Sequence, residues 1–195
     1  MTFISIHETL ENGFSYRTDL KDMIRYINTF SNSRELLLVE IGSYMGASTF
    51  FLAKNFKHVI SIDPYRIPIE QCKAEYEFIK NLCFFNNVSK IRMASEDAVG
   101  LFADNSIDIV YIDGNHNREY ITKDIKLWIP KIKESGFISG HDYYRSSDIT
   151  DEDRKNLVFV GDVFEVVNEM LGEPEFKDIY SNWLFRKETL KHKRL

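Results

Sequence analysis

Acidic residues, histidines and glycines follow the ends of the apolar segments in this chain. Carboxylates and imidazoles transfer protons or bind hard cations, and a glycine lets a ligand approach the backbone closely. These residue types therefore predict a ligand-binding site if the fold gathers them at one edge. The candidate residues are Glu40, Gly42, Ser43, Gly46, Asp63, Ser95, Glu96, Asp113, Asn115, His116, His141 and Asp142.

The apolar segments predict the strands that would position these residues. The first, residues 36–41, is short and mainly apolar, as in a strand buried on both faces, and helical patterns separate it from the segments that follow. Connections of that length require right-handed crossovers and a parallel sheet. We therefore predict a doubly wound α/β fold, with a mainly parallel seven-stranded sheet and helices on both faces. The predicted strands are residues 36–41, 58–62, 90–93, 107–112, 136–140, 176–180 and 183–186, and the predicted helices are residues 15–30, 47–55, 69–85, 97–102, 121–129 and 163–171.

The chain has 195 residues and no linker or internal repeat, which predicts a single domain. Within it we expect an N-terminal helical extension over residues 1–33, a catalytic core over residues 34–187 and a basic, solvated tail over residues 188–195. Because the ligands of open α/β sheets bind beyond the carboxyl ends of the strands, the candidate residues should meet at that edge.

Composition excludes several classes of protein. The chain carries 25 basic and 30 acidic side chains, and its net charge of -5 argues against a nucleic-acid partner. The two cysteines, Cys72 and Cys83, have no zinc-ligand or disulfide-framework spacing. The chain begins without a leader pattern, and its apolar runs are shorter than the ~18 residues that span a bilayer. We expect a cytoplasmic protein that does not contact membranes.

The turn after the first strand of the core carries two glycines, Gly42 and Gly46, preceded by the carboxylate of Glu40. A dinucleotide-binding turn would need a third glycine, and Glu40 would repel a pyrophosphate. A ligand with a positive charge suits this turn better. Asp63, at the end of the next strand, is placed to accept hydrogen bonds from ribose hydroxyls. S-adenosylmethionine is cationic at one end and contains a ribose, so it meets both requirements.

Several ordered segments of the chain carry a family resemblance. They are VEIGSYMGAST, ISIDP, ASEDA, IDIVYIDGNH, YITKDIKLWIPKIKESGFISGHDY and VFEVVNEML, followed by Trp183. Together they resemble the class I S-adenosylmethionine-dependent methyltransferases, in particular a small bacterial group with an aspartate-glycine-x-histidine segment after the fourth strand. The resemblance covers residues 35 to 186 and places each segment at the appropriate strand end.

The resemblance implies roles for individual residues. Gly42, Ser43 and Gly46 would line the methionine half of the cofactor with Glu40 nearby, and Asp63 would hold the ribose. Ser95 and Glu96 would flank the adenine, and Asp113 would lie beside the sulfonium and the reacting methyl group. Two structural alternatives stay open, since Asp63 also suits a turn and Ser95 also suits a helix cap.

Methyl transfer to a hydroxyl also requires removal of a proton, for which two routes stay open. In one, His116 or His141 is the general base, because imidazole titrates near neutral pH. In the other, Mg²⁺ or another divalent cation binds the substrate oxygen. Asp113 and Asp142 would be its ligands, with His141 or Asn115 close by. Related magnesium-dependent O-methyltransferases place carboxylates at these two strand ends, and this chain departs from them in having His141 before Asp142.

The predicted function is transfer of a methyl group from S-adenosylmethionine to a small-molecule acceptor, a hydroxyl of a sugar or secondary metabolite. One alternative is a nicotinamide-dependent oxidoreductase, which the missing third glycine disfavours. Another is a module that binds S-adenosylmethionine without catalysis, which the set of aspartates and histidines disfavours. The sequence leaves homo-oligomer formation open.

Overall fold

The computed structural model describes residues 7–9, 15–66, 69–145 and 161–191. Its strands, in chain order, are β1 His7–Thr9, β2 Ser15–Arg17, β3 Leu37–Ile41, β4 His58–Ile62, β5 Val88–Ile91, β6 Ile107–Ile112, β7 Ile132–Gly140, β8 Phe176–Lys177 and β9 Trp183–Arg186. Seven of them form one sheet in the order β5-β4-β3-β6-β7-β9-β8. The first five run parallel, while β9 is antiparallel to β7 and β8 to β9. The predicted mainly parallel, seven-stranded α/β fold is confirmed.

Helices cover both faces of this sheet. They are α1 Lys21–Ile27, α2 Ala47–Asn55, α3 Ile69–Leu82, α4 Ser95–Ala98, α5 Arg118–Trp128 and α6 Val163–Leu171. Neighbouring residues of β3 pack into opposite cores, since Leu38 lies with α1 and α2 while Val39 lies with α5 and α6. Burial on both faces explains why every residue of this strand except Glu40 is apolar, because each buried aliphatic side chain contributes about 1.5–3 kcal/mol.

The order in which strands are added to the sheet reverses at β3. Strands β4 and β5 lie on one side of it, and β6 and β7 lie on the other. Such a switch point opens a crevice beyond the carboxyl ends of the strands. Backbone hydrogen bonds hold these ends together: the Gly42 amide donates to the Ile62 carbonyl at 2.9 Å, and the Asp113 amide donates to the Ile41 carbonyl at 2.8 Å. The sequence-predicted residues that follow these strands are therefore fixed at one edge.

The N-terminal part differs from its prediction. Residues 15–17, predicted as the start of a helix, form strand β2, which pairs with β1 in an antiparallel hairpin. The helix begins only at Lys21, because the buried apolar repeat starts at Leu20. Tyr16 packs on Phe50 of α2, with ring centroids 4.6 Å apart. The hairpin therefore lies on α2 and directs the residues after it toward the switch point.

Other element boundaries shift by a few residues, and the start of the predicted tail is not solvated. Strand β7 begins at Ile132, and Ser95–Ala98 with the 3₁₀ turn Val99–Leu101 replaces the helix predicted over 97–102. Leu190, within the predicted tail, is buried at 3% exposure. The sequence is polar over residues 143–156, and most of that stretch lies outside the described residues. Within the described residues, no helix combines the length and apolar character needed to cross a membrane.

Candidate functional site

A cavity of about 450 Å³ opens at the carboxyl ends of β3, β4, β5 and β6. Six sequence-predicted residues line it, and they are Gly42, Asp63, Ser95, Glu96, Asp113 and Asn115. The sequence missed five other polar lining residues, which are Tyr44, Arg66, Tyr120, Lys123 and Asp124. Three of these lie on α5, whose first turns form one wall of the cavity. The other predicted residues lie beside the cavity or behind its wall.

The glycines of the β3–α2 turn are required by packing. Gly42 has a φ of +84°, and a Cβ there would lie 2.2 Å from the carbonyl oxygen of Asp113. Gly46 has a φ of +85° and caps α2, where a Cβ would lie 2.8 Å from the Leu82 side chain. Glycine adopts these conformations without strain. The turn can therefore pass directly over the end of β6, which brings its backbone to the cavity.

Asp63 both lines the cavity and holds the turn. Its Oδ2 accepts hydrogen bonds from the backbone amides of Ser43 at 3.2 Å and Tyr44 at 3.0 Å. Its Oδ1 accepts one from the Tyr65 amide at 3.0 Å. The structure therefore shows the turn-forming role that was left open for Asp63, and it leaves the carboxylate at the cavity wall. The Ser43 hydroxyl is itself buried against the Tyr65 hydroxyl at 3.1 Å.

Glu40 lies away from the cavity lining. Its buried carboxylate accepts hydrogen bonds from the hydroxyls of Ser48 and Thr49, each at 2.5 Å, and of Ser61 at 2.7 Å. Burial raises the pKa of Glu40 to about 7, although the three hydroxyls oppose this shift. Glu40 therefore joins the first turn of α2 to β4, behind the turn that carries Gly42.

Replacing Glu40 by Gln should change how stability depends on pH. The pKa is about 4.5 in the unfolded chain and about 7 in the folded one. The folded state therefore binds more protons between these values, and wild-type stability falls as pH rises through this window, by about 3 kcal/mol in all. Gln can hydrogen-bond the same hydroxyls without a charge, so Glu40→Gln should lose this pH dependence and be more stable at pH 8.

Urea denaturation at pH 5 and pH 8 would measure this effect. The exposed Glu35, changed to Gln, is the matched control and should keep the wild-type pH dependence. If the free energy of unfolding of Glu40→Gln changes between pH 5 and pH 8 as it does in wild type, Glu40 is ionised throughout this range.

Ser95 lies in a small buried network with α5. Its hydroxyl donates to Asp124 Oδ1 at 2.5 Å and accepts from Trp128 Nε1 at 2.7 Å. The N-cap position of α4 is occupied by Ala94, so the alternative of Ser95 as a helix cap is wrong. Burial raises the pKa of Asp124 to about 6. Asp124 shares the buried face of α5 with Ile121, and this acidic residue in an apolar repeat was the available sequence signal.

The predicted aspartates and histidines at the ends of β6 and β7 do meet. His116 Nε2 lies 3.0 Å from Asp142 Oδ2 and 3.8 Å from Asp113 Oδ1. His141 Nδ1 lies 3.1 Å from Asp142 Oδ1 and 4.0 Å from Asp113 Oδ1. Asp113, His141 and Asp142 each offer one atom of a set that lies within 4.8 Å of one another. We call these four residues the charged cluster; among them, Asp113 also lines the cavity.

Electrostatics in the charged cluster favour ion pairs. Burial opposes protonation of His116 and His141, but the neighbouring carboxylates outweigh it and raise the pKa of both. Burial also opposes ionisation of Asp142, yet chiefly His141 lowers the pKa of this carboxyl to about 2. Asp142 has a φ of +60°, a conformation that costs energy for a residue with a side chain. The backbone is therefore held in an uncommon conformation where the carboxylate meets both histidines.

Arg17 and Asp19 complete the surroundings of Asp113, and no sequence pattern indicates a role for either residue. Arg17 Nη1 donates to Asp113 Oδ2 at 2.7 Å. Its Nε donates to Asp19 Oδ1 at 3.0 Å, and its Nη2 also donates to Asp19. The pair joins residues 96 positions apart in the sequence. Hairpin β1–β2 positions Arg17, and no local spacing in the sequence reveals this placement.

Comparisons with known proteins identify the family to which this domain is similar. The family model described as a methyltransferase domain matches residues 39–143. An uncharacterized protein of Acanthamoeba polyphaga mimivirus is 32% identical over 122 residues, which are 60% of this chain and 55% of that protein. The chain thus spans about half the length of this curated relative.

Solved structures share the fold. One is a Staphylococcus aureus protein whose name assigns it, by inference, to the caffeoyl-CoA O-methyltransferases, with a TM-score of 0.58, 18% identity and coverage of 86% of this chain and 81% of that one. Another is an rRNA methylase from Streptococcus thermophilus, with a TM-score of 0.56, 15% identity and coverage of 86% and 94%. Because the family model matches more than half of its residues, the chain belongs to the methyltransferase domain family, within the class I S-adenosylmethionine-dependent methyltransferases.

Proposed function

We propose that this protein transfers a methyl group from S-adenosylmethionine to a hydroxyl group of a small molecule, such as a sugar or a secondary metabolite. The observation that carries the proposal is the position of Asp113, which belongs both to the cavity lining and to the charged cluster. The cavity volume lies in the range of sites for small ligands. A cofactor in the cavity would therefore end next to groups that move protons.

The cavity lining supports a division of the cofactor among the strand ends. The backbone of the turn from Gly42 to Gly46 would contact the methionine half. Asp63 would accept the ribose hydroxyls, since a carboxylate oxygen can accept more than one hydrogen bond. At the adenine end we place Ser95 and Glu96. Asp124 joins them, because it is buried at the wall and hydrogen-bonded to Ser95. Glu40 would act indirectly, by holding α2 beneath the turn.

We assign proton removal to the charged cluster. Methyl transfer is an in-line displacement, so the protein must chiefly align the acceptor oxygen with the methyl group. His116, in its neutral form, is the candidate base, because it is the more exposed of the two histidines, at 24% against 19%. Asp142, 3.0 Å from its Nε2, would orient the ring and stabilise the imidazolium that forms. His141 packs deeper, with Nε2 3.3 Å from the Ser181 hydroxyl, and would support Asp142.

The predicted metal ligands fit a divalent cation only in their spacing. Asp113, His141 and Asp142 each offer one potential ligand atom, and these atoms lie within 4.8 Å of one another. However, Arg17 already donates to Asp113 Oδ2 at 2.7 Å, which places a permanent positive charge against one of the three ligands. A cation bound there would be repelled by this charge. Our proposal therefore includes no step through a metal ion.

Calorimetric titration and a turnover assay test the function. We expect S-adenosylmethionine and S-adenosylhomocysteine to bind and NAD not to bind. Binding of NAD alone would overturn the proposal in favour of an oxidoreductase. In the turnover assay, S-adenosylhomocysteine should form only when a hydroxylated acceptor is present. Cofactor binding without turnover on any sugar or phenol acceptor would favour the non-catalytic binding module.

Changing Asp63 to Ala should weaken binding of S-adenosylmethionine by about 1–3 kcal/mol, because hydrogen bonds to a charged group are lost. The variant also frees the backbone amides of Ser43 and Tyr44, so the turn becomes less ordered. Calorimetry measures the affinity. The exposed Asp104, changed to Ala, serves as the control and should leave the affinity unchanged. Wild-type affinity in Asp63→Ala would assign Asp63 to the turn alone.

A further inference from the structure

Arg17, on hairpin β1–β2, donates a charged hydrogen bond to Asp113 from outside the seven-stranded sheet. We propose that Arg17 is a positioning residue of the active site, and that its guanidinium takes the place of a divalent cation at the charged cluster. It holds the Asp113 carboxylate at the end of the cavity and excludes a metal ion from the set formed by Asp113, His141 and Asp142. The catalytic part of this inference rests on the proposed function, whereas the exclusion of metal does not.

The guanidinium is held in place rather than free to swing away. Asp19 binds it on the side opposite Asp113, through Nε at 3.0 Å and through Nη2. Asp19 is buried at 3% exposure, and its main-chain carbonyl accepts from Asn182 Nδ2 at 3.2 Å. Asn182 is fully buried and accepts from the Tyr111 hydroxyl at 3.2 Å. A buried chain of hydrogen bonds therefore connects Arg17 to the centre of the sheet.

A metal ion and the Arg17 guanidinium compete because both are positively charged. Both require the same carboxylate, and Arg17 already occupies Asp113 Oδ2 at 2.7 Å. Arginine stays protonated at every relevant pH, so its charge cannot be removed to admit a metal. Lysine would differ, because it lacks the planar fork that binds Asp19 and Asp113 together. Removing the charge at residue 17 should therefore leave Asp113 without its permanent cationic partner and allow it to bind a metal ion together with His141 and Asp142.

Arg17 lies on hairpin β1–β2, which is outside the residues matched by the family model. The hairpin is attached to α2 through Tyr16, whose ring also lies 5.3 Å from the Lys54 ammonium. A segment outside the matched region thus supplies a charge to the end of the cavity. In this chain the N-terminal segment is part of the active site rather than a separate extension.

Binding of Mn²⁺ to the full chain, followed by electron paramagnetic resonance, tests metal exclusion without any turnover. Wild-type protein should leave the signal of free Mn²⁺ unchanged at millimolar metal. Arg17→Gln should bind Mn²⁺ more tightly by about 10- to 1000-fold, the effect of removing one neighbouring charge. Adding Asp142→Asn to Arg17→Gln should abolish the gained binding. Arg25→Gln, which removes an exposed ion pair with Asp22, is the matched control and should behave as wild type.

Tight binding of Mn²⁺ by wild-type protein would overturn the proposal, and this result does not depend on any variant folding. Equal Mn²⁺ affinity of wild type and a folded Arg17→Gln would overturn it as well, with folding checked by circular dichroism.

Turnover gives an independent readout of positioning. Wild-type activity should survive exhaustive chelation. Arg17→Gln should lose kcat while its KM for S-adenosylmethionine changes little, and Arg17→Lys should recover part of the lost kcat because it restores the charge. Loss of activity on chelation, with full recovery on adding Mg²⁺, would contradict the proposal. If calorimetry shows no cofactor binding, the proposed function fails, while the Mn²⁺ result still decides whether Arg17 excludes metal.

Discussion

Replacing Asp113 by Asn is expected to lower kcat/KM for methyl transfer by about 10²–10³-fold, the usual effect of losing one preorganised electrostatic contact in an active site. Asn keeps the size of the side chain and can still accept a hydrogen bond from Arg17. It lacks the negative charge that lies between the cavity and both histidines. The measurement is the rate of S-adenosylhomocysteine formation at several acceptor concentrations.

Asp108, the second residue of β6, provides a control for the Asp113 variant. Asp108 accepts a hydrogen bond from the Leu37 amide at 2.9 Å and pairs with Lys133 at 2.7 Å, away from the cavity. Asp108→Asn should therefore affect stability and leave kcat/KM near its wild-type value. If Asp113→Asn retains wild-type kcat/KM, the reacting methyl group does not lie at Asp113, and the proposed site is wrong.

Changing Gly42 to Ala should abolish measurable cofactor binding and lower the free energy of unfolding by about 2–4 kcal/mol. The new Cβ would lie 2.2 Å from the Asp113 carbonyl oxygen and 2.6 Å from the Gly114 Cα. Both are backbone atoms that cannot rotate away, so the ends of β3 and β6 would have to separate. The positive φ of +84° adds strain to any side chain there.

Gly100 is the matched control, because a Cβ there would meet nothing within 4 Å. Gly100→Ala should leave stability unchanged or raise it slightly, since it reduces the freedom of the unfolded chain. Urea denaturation and calorimetry with S-adenosylhomocysteine measure both variants. A Gly42→Ala protein with wild-type stability and affinity would show that the turn can move away from β6 without cost.

The strand ends of the core were predictable because burial imposes a local pattern. A parallel strand covered on both faces is mainly apolar, so 58–62 and 107–112 were predicted with the bounds that the structure shows. The carboxyl ends of parallel strands meet at one edge, which is why Asp63, Asp113 and Asp142 were found as candidate site residues.

The direction of a side chain was harder to predict than its place in the chain. Glu40 precedes the glycine turn, and its position alone indicates a ligand contact. Strand alternation instead places it on the face of Leu38, beneath the first turn of α2, where Ser48 and Thr49 bind it. The hydroxyls at those two positions were the signal for this alternative, because a buried carboxylate needs hydrogen-bond donors.

The sequence by itself determined the α/β fold, the edge of the sheet that carries the site and the meeting of Asp113 with His116, His141 and Asp142, since each follows from local periodicity and strand order. Only the tertiary structure placed Arg17 and Asp19 at that site. A contact between residues 96 positions apart depends on how hairpin β1–β2 packs on α2, and packing of distant segments leaves no repeat in the sequence. The charge that decides between a metal ion and a guanidinium at Asp113 is therefore a property of the folded chain.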